Sequence, residues 1–264
     1  MKKLLLCPPK FYDIRYEINP WMDKNNPINK QKSQQQYDKL KETYNTLGIK
    51  YFELPPEKDL PDQVFTTDIG HAEGKIFIRA SFKYKERRKE ADIAESFFKK
   101  KGYKIYALPQ KVYFEGGDFI KSGDKYFFGW GKRSSHDAIF YLEKALDAEI
   151  IPIELPDDYF YHLDTCFAPI SDSIAVANLG ALTKEGISTL KKHFPKIIPT
   201  NDQDNQMMAC NLIAVDKNAI LTQGISKDLK KNLTPYLDLI GTVPMGEYLK
   251  GGGSIHCVSF EIFR

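Results

Sequence analysis

Cysteine is scarce in this chain and scattered: Cys7, Cys166, Cys210 and Cys257 stand far apart, and none belongs to a C-x-x-C pair. That spacing argues against a disulfide framework and against a structural zinc site. Long apolar runs are missing too. Residues 1–6 hold two lysines and a short apolar stretch, too brief for the core of a signal peptide or for a membrane span. The expectation is a cytoplasmic protein with no membrane partner. A basic stripe is also lacking: the formal net charge is only +3, and lysine clusters such as Lys99-Lys100-Lys101 and Lys191-Lys192 fall within candidate helices. Solvated helix faces account for them better than nucleic acid does, so no nucleic-acid partner is expected.

Core material, by contrast, is ample. Hydrophobic residues make up 42% and aromatics 13%, while 28% charged residues are typical of a soluble surface. A length of 264 residues allows one large domain or two. An internal repeat bears on that choice. Segments 68–80, 118–130, 164–178 and 211–223 each begin with a polar residue, run apolar, turn, and run apolar again. Their turns, Glu73-Gly74, Ser122-Gly123-Asp124, Ser171-Asp172-Ser173 and Asp216-Lys217-Asn218, are hairpin signals. Amphipathic stretches follow at 85–101, 136–147, 183–194 and 226–237, and then short β-like runs at 104–108, 150–155, 197–199 and 239–243. The unit is ββαβ. Its leading positions, Asp68, Asp118, Asp164, Asn211 and finally Cys257, are separated by 50, 46, 47 and 46 residues. The strand at 4–7, the helix at 31–47 and the strand at 50–54 read as the rest of a fifth unit, completed by the carboxy-terminal strand around Cys257. Joining both ends in one unit closes a ring and removes exposed sheet edges. The predicted architecture is therefore α/β, a single domain over 1–264. In such a ring the equivalent strand ends meet near one axis, bringing Asp68, Glu115, Asp118, His162, Asp164 and Cys257 together. Asp and Asn also favour strand ends as plain turn formers, which explains any one of these positions but not a His, a Glu and a Cys at the same phase.

Those residues carry chemistry. Cys257 follows the run Gly251-Gly252-Gly253 and opens a β-like stretch, a suitable entrance for a nucleophilic thiol, although cysteine is also a common core residue. His256 is a tempting partner, but strand neighbours point to opposite faces, so packing or a backbone hydrogen bond is its expected role. His162 and Asp164, two apart, would share a strand face and look into the axial site. In Phe114-Glu115-Gly116-Gly117-Asp118 the two glycines mark a bulge or a close backbone approach, letting Glu115 orient a group near His162. Asp62 and Asp68 would cap turns or join Glu115 and Asp164 in an acidic pocket. Buried carboxylates are tolerable only with a partnering cation, and a guanidinium supplies one with planar, bidentate donors.

With these motifs in this order, the chain resembles the pentein superfamily of guanidino-modifying enzymes: arginine deiminases, dimethylarginine dimethylaminohydrolases, amidinotransferases and bacterial arginine dihydrolases. The resemblance covers essentially the whole chain and implies a fivefold α/β propeller. It implies Cys257 as nucleophile, His162 as general acid and base, and Glu115 as the carboxylate beside it. Asp68 and Asp164 correspond to guanidinium-binding carboxylates, Asp62 to a residue binding the substrate α-amino group, and Arg87 and Arg133 to positions holding its α-carboxylate. Cys7-Pro8-Pro9 and the 17–22 segment resemble the start of bacterial members, which puts Asn19 in the pocket wall. Departures matter for the subfamily. Dimethylaminohydrolases usually have Glu where Thr67 stands and lack the aspartate of His162-Leu163-Asp164. The resembling dihydrolases carry Asn at Asp68, and deiminases proper are longer, with Arg at Thr67.

The chemistry so implied is covalent: a Cys257 thiolate adds to the guanidinium carbon, an amine leaves, and water hydrolyses the thiouronium. The expected partner is a small guanidino molecule, with no metal or organic cofactor; association of identical copies is left open. The expected activity is conversion of arginine to citrulline and ammonia. Alternatives are dimethylarginine hydrolysis, a dihydrolase giving ornithine, amidino transfer, a Cys–His protease, or a non-catalytic binding protein on the same fold.

Overall fold

The computed structural model of the chain describes residues 3–263. Within it the predicted hairpins all form, each with a third strand added in parallel. Phe119–Ser122 pairs antiparallel with Lys125–Trp130, which pairs in parallel with Ile150–Glu154. The same pattern recurs in Phe167–Pro169, Ile174–Ala177 and Lys196–Pro199, and again in Ile213–Val215, Asn218–Thr222 and Leu239–Val243. A parallel neighbour needs a crossover, and a helix supplies it each time: Ala138–Leu146, Lys184–His193 and Lys227–Leu233 respectively.

A larger, six-stranded sheet joins two such sets side by side. One is Gly70–Glu73, Ile76–Arg79 and Lys104–Tyr106, crossed over by the Arg88–Lys100 helix. The other gathers both ends of the chain: Phe260–Phe263 runs antiparallel to Lys3–Leu6, with Leu4 opposite Glu261, and Lys3–Leu6 runs parallel to Lys50–Glu53 across the Lys30–Thr46 helix. Phe260–Phe263 also pairs with Gly70–Glu73, Ile262 opposite Ala72. The expected mixture of helix and strand and the joining of the two termini are therefore both observed.

Local chemistry sets the helix ends. Asn29, Thr183 and Ser226 each accept a backbone N–H of the first turn through a side-chain oxygen. In the Lys30–Thr46 helix the buried residues are Ser33, Tyr37, Leu40 and Tyr44, spaced four, three and four, so one stripe faces the core. Full burial of a side chain such as Leu40 stabilises by about 1.5–3 kcal/mol. A short helix that periodicity does not announce, Asp202–Gln206, is held by a reciprocal cap between Asn201 and Asp204, and Asp204 also accepts the Ser226 backbone N–H (2.7 Å). No helix among the described residues is long and apolar enough to cross a membrane.

Two local expectations are corrected. Cys257 does not open a strand: it lies in a turn, and the strand begins at Phe260. His162 and Asp164 do not share a strand face either, because His162 is extended and a one-turn helix, Leu163–Cys166, starts immediately after it. Period-two reasoning fails at both places because strand entrances here are short helical turns.

Candidate active site

Four such entrances supply the candidate functional side chains. Short 3₁₀ turns Pro61–Val64 and Thr66–Ile69 carry Asp62 and Asp68, the turn Gly116–Asp118 follows Glu115, the Leu163–Cys166 helix carries Asp164, and the turn before Phe260 carries Cys257. All of Asp62, Asp68, Glu115, His162, Asp164 and Cys257 are buried. The glycines beside Glu115 are explained by crowding. A Cβ on Gly116 would sit 2.1 Å from the Thr67 carbonyl oxygen, and one on Gly117 would sit 2.7 Å from Asp68 Oδ1 and 2.8 Å from His162 Nδ1. The backbone thus approaches protein, and Gly117 lets His162 and Asp68 come together.

One half of the site is a dense ion network. His162 Nε2 lies 3.0 Å from Glu115 Oε2, and its Nδ1 lies 3.4 Å from Asp68 Oδ1. Arg133 donates through Nη1 to Glu115 Oε2 (2.9 Å) and through Nη2 to the Ile18 carbonyl (3.2 Å), with its guanidinium between the rings of Tyr84 and Tyr161. Arg87 donates through Nη1 to Asp68 Oδ2 and grips Glu90 with Nε and Nη2 (3.1 and 2.7 Å). Both arginines are buried. Burial alone would push the His162 imidazole down, but Asp68, Asp118 and Glu115 outweigh it and lift its pKa to about 9. Glu115 moves the other way: burial opposes its charge, yet Arg133 and His162 hold it at about 2.

The other half is sparse. Asn211 Nδ2 donates to Cys257 Sγ (3.0 Å), and Asn211 Oδ1 accepts the backbone N–H groups of Cys257 (3.0 Å) and Ser254 (3.1 Å). The thiol faces Asp164 Oδ2 at 3.4 Å, and His256 Nδ1 lies 2.8 Å from that same oxygen. His256 therefore does more than pack or bond through its backbone. Thr67 clamps the turn from the far side, its N–H to the Cys257 carbonyl (3.0 Å) and its hydroxyl to the His256 carbonyl. Burial first, then the charges of Asp164 and Asp68, pushes the Cys257 thiol well above its ordinary pKa.

Five buried carboxylate oxygens of these residues have no hydrogen-bond partner: both of Asp62, Oδ1 of Asp68, Oε1 of Glu115 and Oδ1 of Asp164. Burial drives Asp62 up to about 6, against the pull of Arg87. Asp118, expected at the axis, is buried but turned to support: it accepts the Ser134 hydroxyl (2.6 Å) and the Leu163 N–H (3.1 Å), fixing the backbone beside His162. Asn19 donates to the Gly251 carbonyl (3.1 Å) and Tyr161 to that of Gly252 (2.6 Å), so the 18–21 segment and the glycine run form one wall. A Cβ on Gly253 would sit 2.5 Å from the Phe65 ring, which accounts for a glycine there.

Asp68, Glu115 and His162 present ligand atoms within 4.8 Å of one another, close enough to hold a metal ion. Arg87, Arg133 and a protonated His162 already offset that charge. Asn211 and Glu90 were not singled out from sequence as site residues. Asn211 nevertheless stands at a leading position of the repeat, and Glu90 one helical turn after Arg87.

A buried thiol and a buried imidazole set among donor-poor carboxylates, at the mouths of repeated β-hairpins, define a class. The chain belongs to the N,N dimethylarginine dimethylhydrolase family, whose eukaryotic model matches residues 15–264. It is 33% identical over 266 residues to the bifunctional arginine dihydrolase/ornithine cyclodeaminase ArgZ of Synechocystis, covering 98% of this chain and 37% of that protein. It thus spans well under half the length of that relative. It is 30% identical over 265 residues to the N(G),N(G)-dimethylarginine dimethylaminohydrolase of Mycobacterium tuberculosis, covering 99% of this chain and 86% of that one. The crystal structure of a substituted ArgZ N-terminal domain covalently bound to a reaction intermediate superposes with a TM-score of 0.96 at 32% identity, covering 100% of this chain and 98% of that one.

Proposed function

We propose that this chain is a cysteine-dependent hydrolase acting on the guanidinium carbon of free arginine or an arginine derivative, with citrulline and ammonia as products from arginine. One observation carries the reading: the carboxylates beside His162 and Cys257, Asp68, Glu115 and Asp164, each keep a buried oxygen without a hydrogen-bond partner, and neither oxygen of Asp62 has one. Desolvated acids without donors call for a ligand that is cationic and rich in N–H groups, and a guanidinium is both. A polypeptide substrate offers no such charge at the scissile carbon, which weighs against a protease.

In this reading Cys257 attacks as the thiolate. The arriving cation favours that form by offsetting Asp164 and Asp68, which oppose ionisation in the free protein. A carbon–sulfur bond forms and one carbon–nitrogen bond breaks. His162, protonated at neutral pH, gives its proton to the departing amine and then, as the base, activates the water that cleaves the thiouronium and restores the thiol. Glu115 holds the imidazole, and Asp68 and Asp164 hold the positive charge through both steps. The α-amino group would meet Asp62, while Arg87 and Arg133, re-sharing their donors, would take the α-carboxylate; Asn19 lines that end. Five similar sheet sets, two of them joined, support a single-domain fivefold propeller over 1–264 with this pocket on its axis.

A second reading has a specific observation behind it: the 33% identity to a protein named for arginine dihydrolase activity favours ornithine as product. Asp68, where the resembling dihydrolases carry Asn, favours stopping at citrulline. Incubation with arginine, asymmetric dimethylarginine and agmatine, with and without added glycine, separates these. Citrulline with ammonia supports the first reading and ornithine the second. A higher kcat/KM for the dimethylated compound reassigns the chain, and amidino-glycine makes it a transferase.

A further inference from the structure

Asp164 has an unusual setting for a buried carboxylate. Its side chain is held by His256 Nδ1 at 2.8 Å and faced by the Cys257 thiol at 3.4 Å, both on Oδ2, while Oδ1 has no partner. A ring nitrogen facing a carboxylate oxygen donates, so the imidazole is the sole nitrogen donor to this carboxylate among the described residues. His256 is itself fixed from three sides: its N–H donates to the Asn211 carbonyl (3.2 Å), and its carbonyl accepts from the Thr67 hydroxyl and the Ser259 N–H (2.9 Å). Its ring remains partly exposed and lines, with Asp164, Cys210 and Lys121, a cavity of about 40 Å³.

We infer that His256 is a positioning residue of the pocket: its Nδ1–H pins Asp164 so that Oδ2 meets the nucleophile and Oδ1 stays open to the guanidinium. That Oδ1 stays open to a guanidinium rests on the hydrolase reading; that Oδ2 meets the thiol does not. Without the imidazole donor, Oδ2 has only the thiol proton to accept, which holds that proton on sulfur more firmly. With it, the carboxylate is already solvated by protein and its demand on the thiol is lower.

The test compares His256→Ala with His256→Asn, whose amide nitrogen falls near the position of Nδ1 and keeps the donor. In ligand-free protein at fixed pH, iodoacetamide alkylation of the Cys257 peptide, followed by mass spectrometry, should slow about tenfold in His256→Ala and recover in His256→Asn. A merely loosened turn would expose the buried thiol and speed alkylation instead. In a Cys257→Ser background, arginine affinity should fall about tenfold with His256→Ala and return with His256→Asn. Faster or unchanged alkylation in His256→Ala, or equal loss in both variants, overturns the inference. Absence of guanidine binding by Cys257→Ser alone, with the alkylation pattern intact, overturns the hydrolase reading and leaves the positioning of the thiol standing.

Discussion

The two halves of the pocket are built on opposite electrostatic terms. Around His162 the carboxylates meet arginines: Glu115 pairs with Arg133, Asp68 with Arg87, and Arg87 also with Glu90. Around Cys257 the Asn211 amide donates to the thiol and the His256 imidazole to Asp164, whose carboxylate, 3.4 Å from the sulfur, opposes ionisation. In the proposed reaction the first half is therefore set in its working state before the substrate arrives, while the second is completed by the substrate's positive charge. A resting thiol that becomes nucleophilic only with substrate beside it is protected from stray alkylation and oxidation, which scale with thiolate character.

The largest effect should come from the waiting half. Cys257→Ser should fold normally and lose turnover, because an alcohol is far less ionised and less nucleophilic than a thiol; near-normal product formation in a timed assay would remove the covalent step. Next is the preset half, where His162→Gln should cost about 10²–10⁴-fold in kcat by deleting the proton donor, while Cys257 is alkylated no faster than in the unaltered protein. A variant with unchanged rate at every pH would take His162 out of the mechanism.

Arg87→Ala strands Asp68 and Glu90 in the interior, and chemical denaturation should show a loss of about 3–5 kcal/mol, as is usual when one partner of a buried ion pair is removed. If Arg87 and Arg133 also bind the α-carboxylate, replacing either should weaken arginine more than agmatine, which lacks that group; equal losses would confine them to holding the preset half. Smaller still is a pH effect. Arginine KM should rise as pH falls through about 6, where Asp62 takes up a proton and stops attracting the α-amino group, and agmatine KM should not follow. On the alkaline side, kcat should fall as pH rises through about 9, where His162 loses its proton.

How much of this was legible follows from where periodicity applies. The hairpins and crossover helices were readable because alternation and 3.6-residue spacing are direct consequences of a buried face, and the Lys30–Thr46 stripe is an example. The phase of the repeat also put Asp68, Asp164 and Cys257 at strand entrances, where the structure has them buried, and the Gly116-Gly117 pair drew notice to Glu115. The site's local geometry was not legible for the same reason. Its residues sit on one-turn helices and 3₁₀ turns too short to show a period, so His256 was expected to point away and instead reaches Asp164. Asn211 was hidden by its own ordinariness, since an Asn at a strand entrance usually only makes a turn. The burial of Arg87 and Arg133 depends on partners far along the chain, Ile18 to Arg133 among them, which no local pattern encodes.

Rapid acid quench of the protein turning over arginine, followed by peptide mass spectrometry, tests the covalent hydrolase most directly. The account predicts an amidino-type adduct, arginine less ammonia, on the Cys257 peptide, appearing within the first turnover and vanishing as citrulline accumulates. Steady citrulline formation with the Cys257 peptide unmodified at every time point, and persisting in Cys257→Ser, would contradict it.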